Sequence, residues 1–325
     1  MKFLVTGVAG FIGYHIAQAL LARGQTVAGV DNVNSYYDVR LKRARVARLN
    51  AERLFSFHEI DIADHAALRE ASLDAEVIIH LAAQAGVRYS IDNPFAYAAS
   101  NLTGHLSILE AARHAPRLTH LVYASSSSVY GAGSSLPYSE SARADRPQSL
   151  YAATKRADEM MSVAYAHLYG LRQTGLRFFT VYGPWGRPDM AYFSFAEAMM
   201  AGRPITLYEG GRLKRDFTFI DDIVDGVLGV VDCPPAHEGA HRLYNIGNNR
   251  AETVFDLVAI LEAELDRRAV IIDTPRPPAD PVETCADLEA LTTLTGFVPK
   301  VTLNQGVPRF VAWYRDWYAQ RGLTG

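Results

Sequence analysis

Cysteine is scarce: Cys233 and Cys285 are the two in 325 residues, and they form no C-x-x-C pair. That excludes a disulfide framework and a thiolate zinc site, and it fits a reducing, cytoplasmic setting. Excess charge of either sign is missing too, with 32 Lys and Arg against 35 Asp and Glu. Nothing therefore favours nucleic acid or an anionic membrane as a partner. No apolar run is long enough to cross a bilayer, so no membrane association is expected. The apolar start, Met1 to Gly13, is broken by glycines and lacks the layout of a secretion signal. His237 and His241 flank a Glu-Gly-Ala turn, and no histidine set has ligand spacing, so no metal is expected. What remains is an ordinary globular composition, 49% hydrophobic and 21% charged, sufficient for one large domain or two.

Lys2 to Thr6 reads as a buried strand. Gly7-Val8-Ala9-Gly10-Phe11-Ile12-Gly13 follows at once, and apolar residues then recur at helical spacing from Tyr14 to Arg23. Strand, glycine turn and helix in that order point to a dinucleotide. Gly7 permits the tight turn, Gly10 lets backbone approach a pyrophosphate, and Gly13 allows close helix–strand packing. The N-terminus of the helix offers free N–H groups and its positive dipole end to the phosphates, with Phe11 and Ile12 in the turn that leads into it. The second strand, Thr26 to Val30, ends in Asp31, beside Asn32. A carboxylate there accepts the ribose hydroxyls of NAD and repels the 2′-phosphate of NADP.

The alternation continues. Phe55 to Ile60 reads as a strand ending at Asp61-Ile62, where the adenine would lie, and Asp64 caps a helix to Ser72. Glu76 to Leu81 is an apolar strand, followed by the small-residue loop Ala82-Ala83-Gln84-Ala85-Gly86. Asn101 to His114 is helical, Leu118 to Ala124 a strand, Leu150 to Tyr169 a long helix and Gln173 to Phe178 a strand. This pattern predicts an α/β fold, a doubly wound parallel sheet of the Rossmann kind. Beyond Phe178 prolines and longer loops accumulate, and Thr274 to Pro281 reads as irregular. The expected division is a nucleotide-binding domain over residues 1–180 and a smaller, interleaved substrate lobe over 181–325. A part of the latter, roughly 217–248, is expected to return to the first domain.

Tyr151-Ala152-Ala153-Thr154-Lys155 places a phenol and an ammonium on one helix face. A positive charge nearby favours the phenolate, which makes Tyr151 a candidate general base. Ser125-Ser126-Ser127-Ser128 follows the strand Leu118 to Ala124, so its hydroxyls face the same crevice as the glycine turn. Arg215 stands in a basic patch with Arg212 and Lys214, suited to a diphosphate.

With these motifs the chain resembles the extended short-chain dehydrogenase/reductases, and within them the nucleotide-sugar epimerases. The shared residues are Gly7, Gly10, Gly13, Asp31, Asp61-Ile62, Asn101, Ser126, Tyr151, Lys155 and the run Arg215 to Asp222. A finer resemblance, to UDP-glucuronate 4-epimerases, rests on Ala85 to Ser90, Ser125 to Gly131 and Arg177 to Met190. It implies NAD-dependent conversion of UDP-glucuronic acid to UDP-galacturonic acid through a transient 4-keto sugar. Tyr151 would take the 4-hydroxyl proton, helped by Lys155, Ser126 and Ser128, while hydride passes to and from NAD. Leu81, Ala82, Ala83, Gln84 and Asn101 would complete the cofactor site. Ser127, Ser128, Thr180, Arg88, Arg187, Arg215 and Asp280 would meet the UDP-sugar, with Arg276 a lesser candidate. Asp280 follows Ala279, where relatives often carry glycine.

The hexuronate assignment turns on Arg187, whose guanidinium can grip a carboxylate bidentately. A β-keto acid loses CO₂ when its carboxylate bond stands perpendicular to the ketone, so an epimerase must hold that group otherwise. A UDP-glucuronate decarboxylase and a neutral UDP-hexose 4-epimerase stay open as alternatives. A 4,6-dehydratase is disfavoured, since Ser127-Ser128 stand where its acid and base belong. A non-catalytic NAD-sensing protein would have no need of Ser126, Tyr151 and Lys155 together. The family resemblance also implies a homodimer, the helices Asn101 to His114 and Leu150 to Tyr169 pairing as a four-helix bundle.

Overall fold

The computed structural model describes residues 1–278 and 280–320. Its strands are β1 (Lys2–Thr6), β2 (Thr26–Asp31), β3 (Phe55–Glu59), β4 (Val77–His80), β5 (His120–Ser126) and β6 (Gln173–Phe178), then β7 (Thr180–Tyr182), β8 (Ile205–Tyr208), β9 (Lys214–Phe219), β10 (His241–Ile246), β11 (Ala251–Thr253) and β12 (Ile271–Thr274). Seven of them form one parallel sheet in the order β10-β6-β5-β4-β1-β2-β3. Alternate residues of a strand face opposite ways. Phe3, Val5, Val77, Ile79 and Val122 accordingly share one apolar core, while Leu4, Ile78 and Leu121 share another. Both faces are buried, which is why these strands read as continuous apolar runs.

The chain runs from β1 outward to β2 and β3, then crosses back to β4 on the other side of β1. That reversal opens a crevice beyond the carboxyl ends of β1 and β4, the usual place for a ligand in such a sheet. After β6 the chain leaves for a three-stranded sheet, β11-β9-β7, and a two-stranded one, β12-β8. It returns to the main sheet with β10, which pairs in parallel with β6.

Three local features differ from the reading of the sequence. The helix Val39–Asn50 was not expected, because its buried face carries Lys42 and Arg45 alongside Leu41, Val46 and Leu49. Asn101 does not open an α-helix; it lies in a wider π-helical turn, Ala98–Thr103, that runs into the helix Gly104–Arg113. And β5 extends through Ser126, so Ser125 and Ser126 belong to the strand instead of the loop beyond it. The helix Leu150–Tyr169 has the expected bounds: Ser149 accepts from the Ala152 N–H at its start, and Gly170 ends it in a left-handed conformation.

Candidate active site

The glycine turn is packed so closely against backbone that it admits no side chain at two of its glycines. Gly7 has φ 73°, and a Cβ on it would lie 2.7 Å from the Ala82 nitrogen in the loop after β4. A Cβ on Gly13 would come within 2.2 Å of the Gly7 carbonyl oxygen. The helix Phe11–Ala22 begins at Gly10 with no side-chain cap, so its first N–H groups are left for an anion. Phe11, Ile12 and Gly13 line the resulting cleft.

Asp31 closes the far side. Its carboxylate accepts from the Val33 N–H at 2.8 Å and the Ala9 N–H at 3.1 Å, so it braces the glycine turn as well as facing the cleft. Burial raises its carboxyl above the ordinary value, against those two bonds and the nearby Lys42. Asn32 lines the cleft, and its amide donates to Asp61 at 2.8 Å. Asp61 itself is exposed and caps Ala63; it holds Asn32 in place and does not line the cleft, whereas Ile62 does.

Leu81, Ala82, Ala83 and Gln84 form the opposite wall. Asn101, expected to touch cofactor, works from behind. It accepts from the Gln84 N–H at 2.8 Å, donates to the Gln84 carbonyl at 3.1 Å and donates to Thr154 Oγ1 at 2.9 Å. It thereby stitches the loop after β4 to the helix that carries Tyr151.

Ser126, Tyr151 and Lys155 line the same cleft. The Ser126 hydroxyl donates to Ser128 Oγ at 3.1 Å and accepts from the Ser128 N–H at 3.2 Å, which fixes the turn Ser127–Tyr130. Lys155 is buried and donates to the Ala124 carbonyl at 2.9 Å and to Asp158 Oδ2 at 3.0 Å. Tyr97 packs edge-on against the Tyr151 ring, 6.1 Å between centroids, and its hydroxyl donates to the Ala85 carbonyl. Beneath the serines lies a buried pair: Arg177 donates to Glu159 at 2.8 and 2.9 Å, and Ser125 donates to the same carboxylate at 2.6 Å.

Arg187 reaches the cleft from the loop after β7. It is not an isolated cation. Nε donates to Asp189 Oδ1 at 3.0 Å and Nη2 to Oδ2 at 2.5 Å, while the Tyr36 hydroxyl donates to the same carboxylate at 3.2 Å. Burial works against the charge on Asp189, yet Arg187 and Tyr36 hold its carboxyl below the usual range. These bonds engage the Nε–Nη2 edge of the guanidinium, one edge of a fork of five N–H groups.

The remaining substrate candidates are not among the residues that line the nucleotide cleft. Arg88 donates to Asp280 Oδ2 at 2.9 Å and lies over the Tyr208 ring at 4.7 Å. Asp280, Arg88 and Arg276 all act electrostatically on Arg215, whose side chain burial makes less basic. Ser127 and Thr180 are half-buried, at the turn after β5 and at the start of β7. Ala279 lies outside the described residues.

Several residues at the site escaped the sequence reading. Lys42 lines the cleft and donates to Asn34 through both its carbonyl, 2.8 Å, and its side chain, 2.7 Å; burial lowers its ammonium to about 8. Arg45, Tyr36, Asp158 and Asp189 were missed as well. One signal existed: Leu41, Arg45 and Leu49 recur every four residues, so an apolar helix face includes an arginine.

The chain belongs to the NAD dependent epimerase/dehydratase family, whose model matches residues 3–247. Within it, the chain is 44% identical to the probable UDP-glucuronate 4-epimerase of Rhizobium meliloti, over the full length of both. It is 45% identical to UDP-glucuronate 4-epimerase 2 of Arabidopsis thaliana, over 99% of this chain and 77% of that protein. The crystal structure of the Bacillus cereus UDP-glucuronic acid 4-epimerase, in complex with UDP-glucuronic acid and NAD, superposes with a TM-score of 0.91 at 33% identity, over 98% of this chain and 100% of that one. The resemblance read from the motifs is borne out.

Proposed function

We propose that this protein is an NAD-dependent UDP-glucuronate 4-epimerase. The observation that carries the reading is that Tyr151, Lys155, Ser126 and Arg187 line one cleft with the glycine turn and Asp31. The glycine turn, Asp31 and Lys155 would hold NAD, whose chemistry there would be to accept a hydride from C4 of the sugar and give it back on the opposite face. Tyr151 removes the 4-hydroxyl proton and later restores it. Ser126, held by the Ser128 N–H, presents its hydroxyl to the same oxygen, and Lys155 keeps a positive charge beside the phenol. Arg187 binds the hexuronate carboxylate and keeps the C5–carboxylate bond out of the decarboxylating orientation. Arg215, with Arg88, neutralises the diphosphate, and Asp280 takes the uridine ribose once its pairing with Arg88 opens.

Residues 1–180 then form the cofactor domain, completed by β10, and the later segments supply most of the substrate face. A homodimer is supported by Leu106, Met160, Val163 and Leu168, exposed apolar residues on the adjacent helices Gly104–Arg113 and Leu150–Tyr169. Such an area of apolar surface fits a second copy better than water. Two free cysteines and no membrane-spanning helix among the described residues support a cytoplasmic site. The product, an activated acidic sugar, suits glycosyltransferases that build uronate-containing polysaccharides.

The test is incubation with UDP-glucuronic acid, with and without added NAD⁺, followed by NMR. UDP-galacturonic acid without CO₂ supports the proposal. A UDP-pentose would make the protein a decarboxylase, and conversion of UDP-glucose alone would remove the assigned role of Arg187.

A further inference from the structure

Lys155 has three ammonium hydrogens to place. One goes to the Ala124 carbonyl at 2.9 Å and one to Asp158 Oδ2 at 3.0 Å, which leaves a single N–H for the cleft. Asp158 stands one turn along the same helix, its side chain fully buried, and its second oxygen, Oδ1, has no hydrogen-bond partner among the described residues. A carboxylate so placed is costly unless the neighbouring cation needs it. We propose that Asp158 is the counter-charge of the catalytic lysine: it aims Lys155 at the cleft and sets the pH at which Tyr151 works. The inference rests on the assignment of Tyr151 and Lys155 made above.

The surrounding groups leave no other candidate for this task. Glu159, the next residue, is already held by Arg177, Arg156 and Ser125. His105, from the helix Gly104–Arg113, donates to or accepts from Ser162 at 2.9 Å, and burial lowers it to about 3. His80 at the end of β4 is paired with Thr6 and held well below its ordinary value by burial. Tyr123 of β5 and Tyr97 beside Tyr151 are both raised by burial. His241, stacked on Tyr123, is lowered to about 4 by burial. The histidines and tyrosines among these are uncharged at neutral pH and Glu159 is already paired with Arg177 and Arg156, so the charge on Lys155 is balanced by Asp158. Burial raises Asp158 itself to about 6, against the attraction of Lys155.

The sign of the effect follows. A negative charge near the phenol disfavours phenolate, and the same charge favours the ammonium. Replacing Asp158 by Asn removes it while keeping shape. Tyr151 should then ionise at lower pH, and Lys155 should lose its proton at lower pH.

The experiment compares full pH profiles of kcat/KM for the NAD-loaded wild type and Asp158→Asn with UDP-glucuronic acid. Both limbs are expected to move to the acid side, by about one pH unit. As a readout free of turnover, ultraviolet difference titration isolates the Tyr151 tyrosinate by subtraction of Tyr151→Phe in each background, and should show the same acid shift. If Asp158→Asn does not accumulate folded, Asp158→Ser removes the same charge and is read identically. A slower enzyme whose limbs coincide with the wild type would overturn the proposal and leave Asp158 as packing. Failure of the underlying assignment looks different: Tyr151→Phe would then keep converting substrate.

Discussion

Arg45 donates to the Trp185 carbonyl at 2.6 Å and to the Ala9 carbonyl at 2.7 Å, so one buried guanidinium joins the glycine turn to the loop bearing Arg187. It also reaches the Gly186 carbonyl at 2.8 Å and the Tyr37 hydroxyl at 2.8 Å. Trp185 needs such support, since its φ of 59° is strained for a residue with a side chain. Trp313 and Trp317 of the helix Leu303–Gln320 pack against its ring from the other side. The cofactor and substrate halves of the cleft thus share a tie.

Cutting that tie should affect both halves. Arg45→Met strands the buried Ala9 and Gly186 carbonyls and the half-buried Trp185 carbonyl, at a cost of about 2–4 kcal/mol. Urea unfolding should show the loss, and KM for the UDP-sugar should rise together with weaker NAD retention. A variant with wild-type stability and KM would refute this role.

Gly13 should tolerate no side chain. The Cβ of Gly13→Ala would stand 2.2 Å from the Gly7 oxygen, against backbone that cannot move without opening the turn. NAD should be lost on gel filtration, whereas Gly24→Ala, with open space around it, should retain the cofactor and lose stability only from its φ of 71°.

Arg187→Ala should change the product as well as the rate. Without the guanidinium the 4-keto acid is free to decarboxylate, so a UDP-pentose should appear by NMR, and Arg187→Lys should rescue poorly because a point charge cannot replace a fork. Clean epimerisation by Arg187→Ala would assign the carboxylate to another residue.

Glu159 links stability to pH. Burial opposes its charge, but bonds from Arg177, Ser125 and Arg156 hold it below the ordinary value of 4.5. For an acid with a lowered folded value, the stabilisation is complete above the unfolded value and fades as pH falls through the folded one. Glu159→Gln should therefore be less stable by about 3–5 kcal/mol at neutral pH. The gap should narrow in acid, as followed by denaturant titrations at several pH values.

The order of strands and helices could be read along the chain because a parallel sheet covered on both faces demands continuous apolar runs, and glycines mark the one turn that must approach phosphates. Tyr151, Lys155 and Asp31 were legible for a related reason: their positions relative to a helix start or a strand end are local matters. What touches what across the fold was not. Lys42 and Arg45 lie on a helix that the pattern of apolar residues did not announce, and only packing turned them inward to Asn34 and Ala9. The tie that Asn101 makes between Gln84 and Thr154 could not be read either, because those partners arrive from two other segments. Asp189 took one edge of Arg187, and Asp158 the second hydrogen of Lys155. Sequence by itself determined the local elements and the chemistry they carry, since backbone periodicity and residue type suffice for both. Tertiary structure alone decided how each charge is paired, because buried charges must find partners wherever the fold brings them.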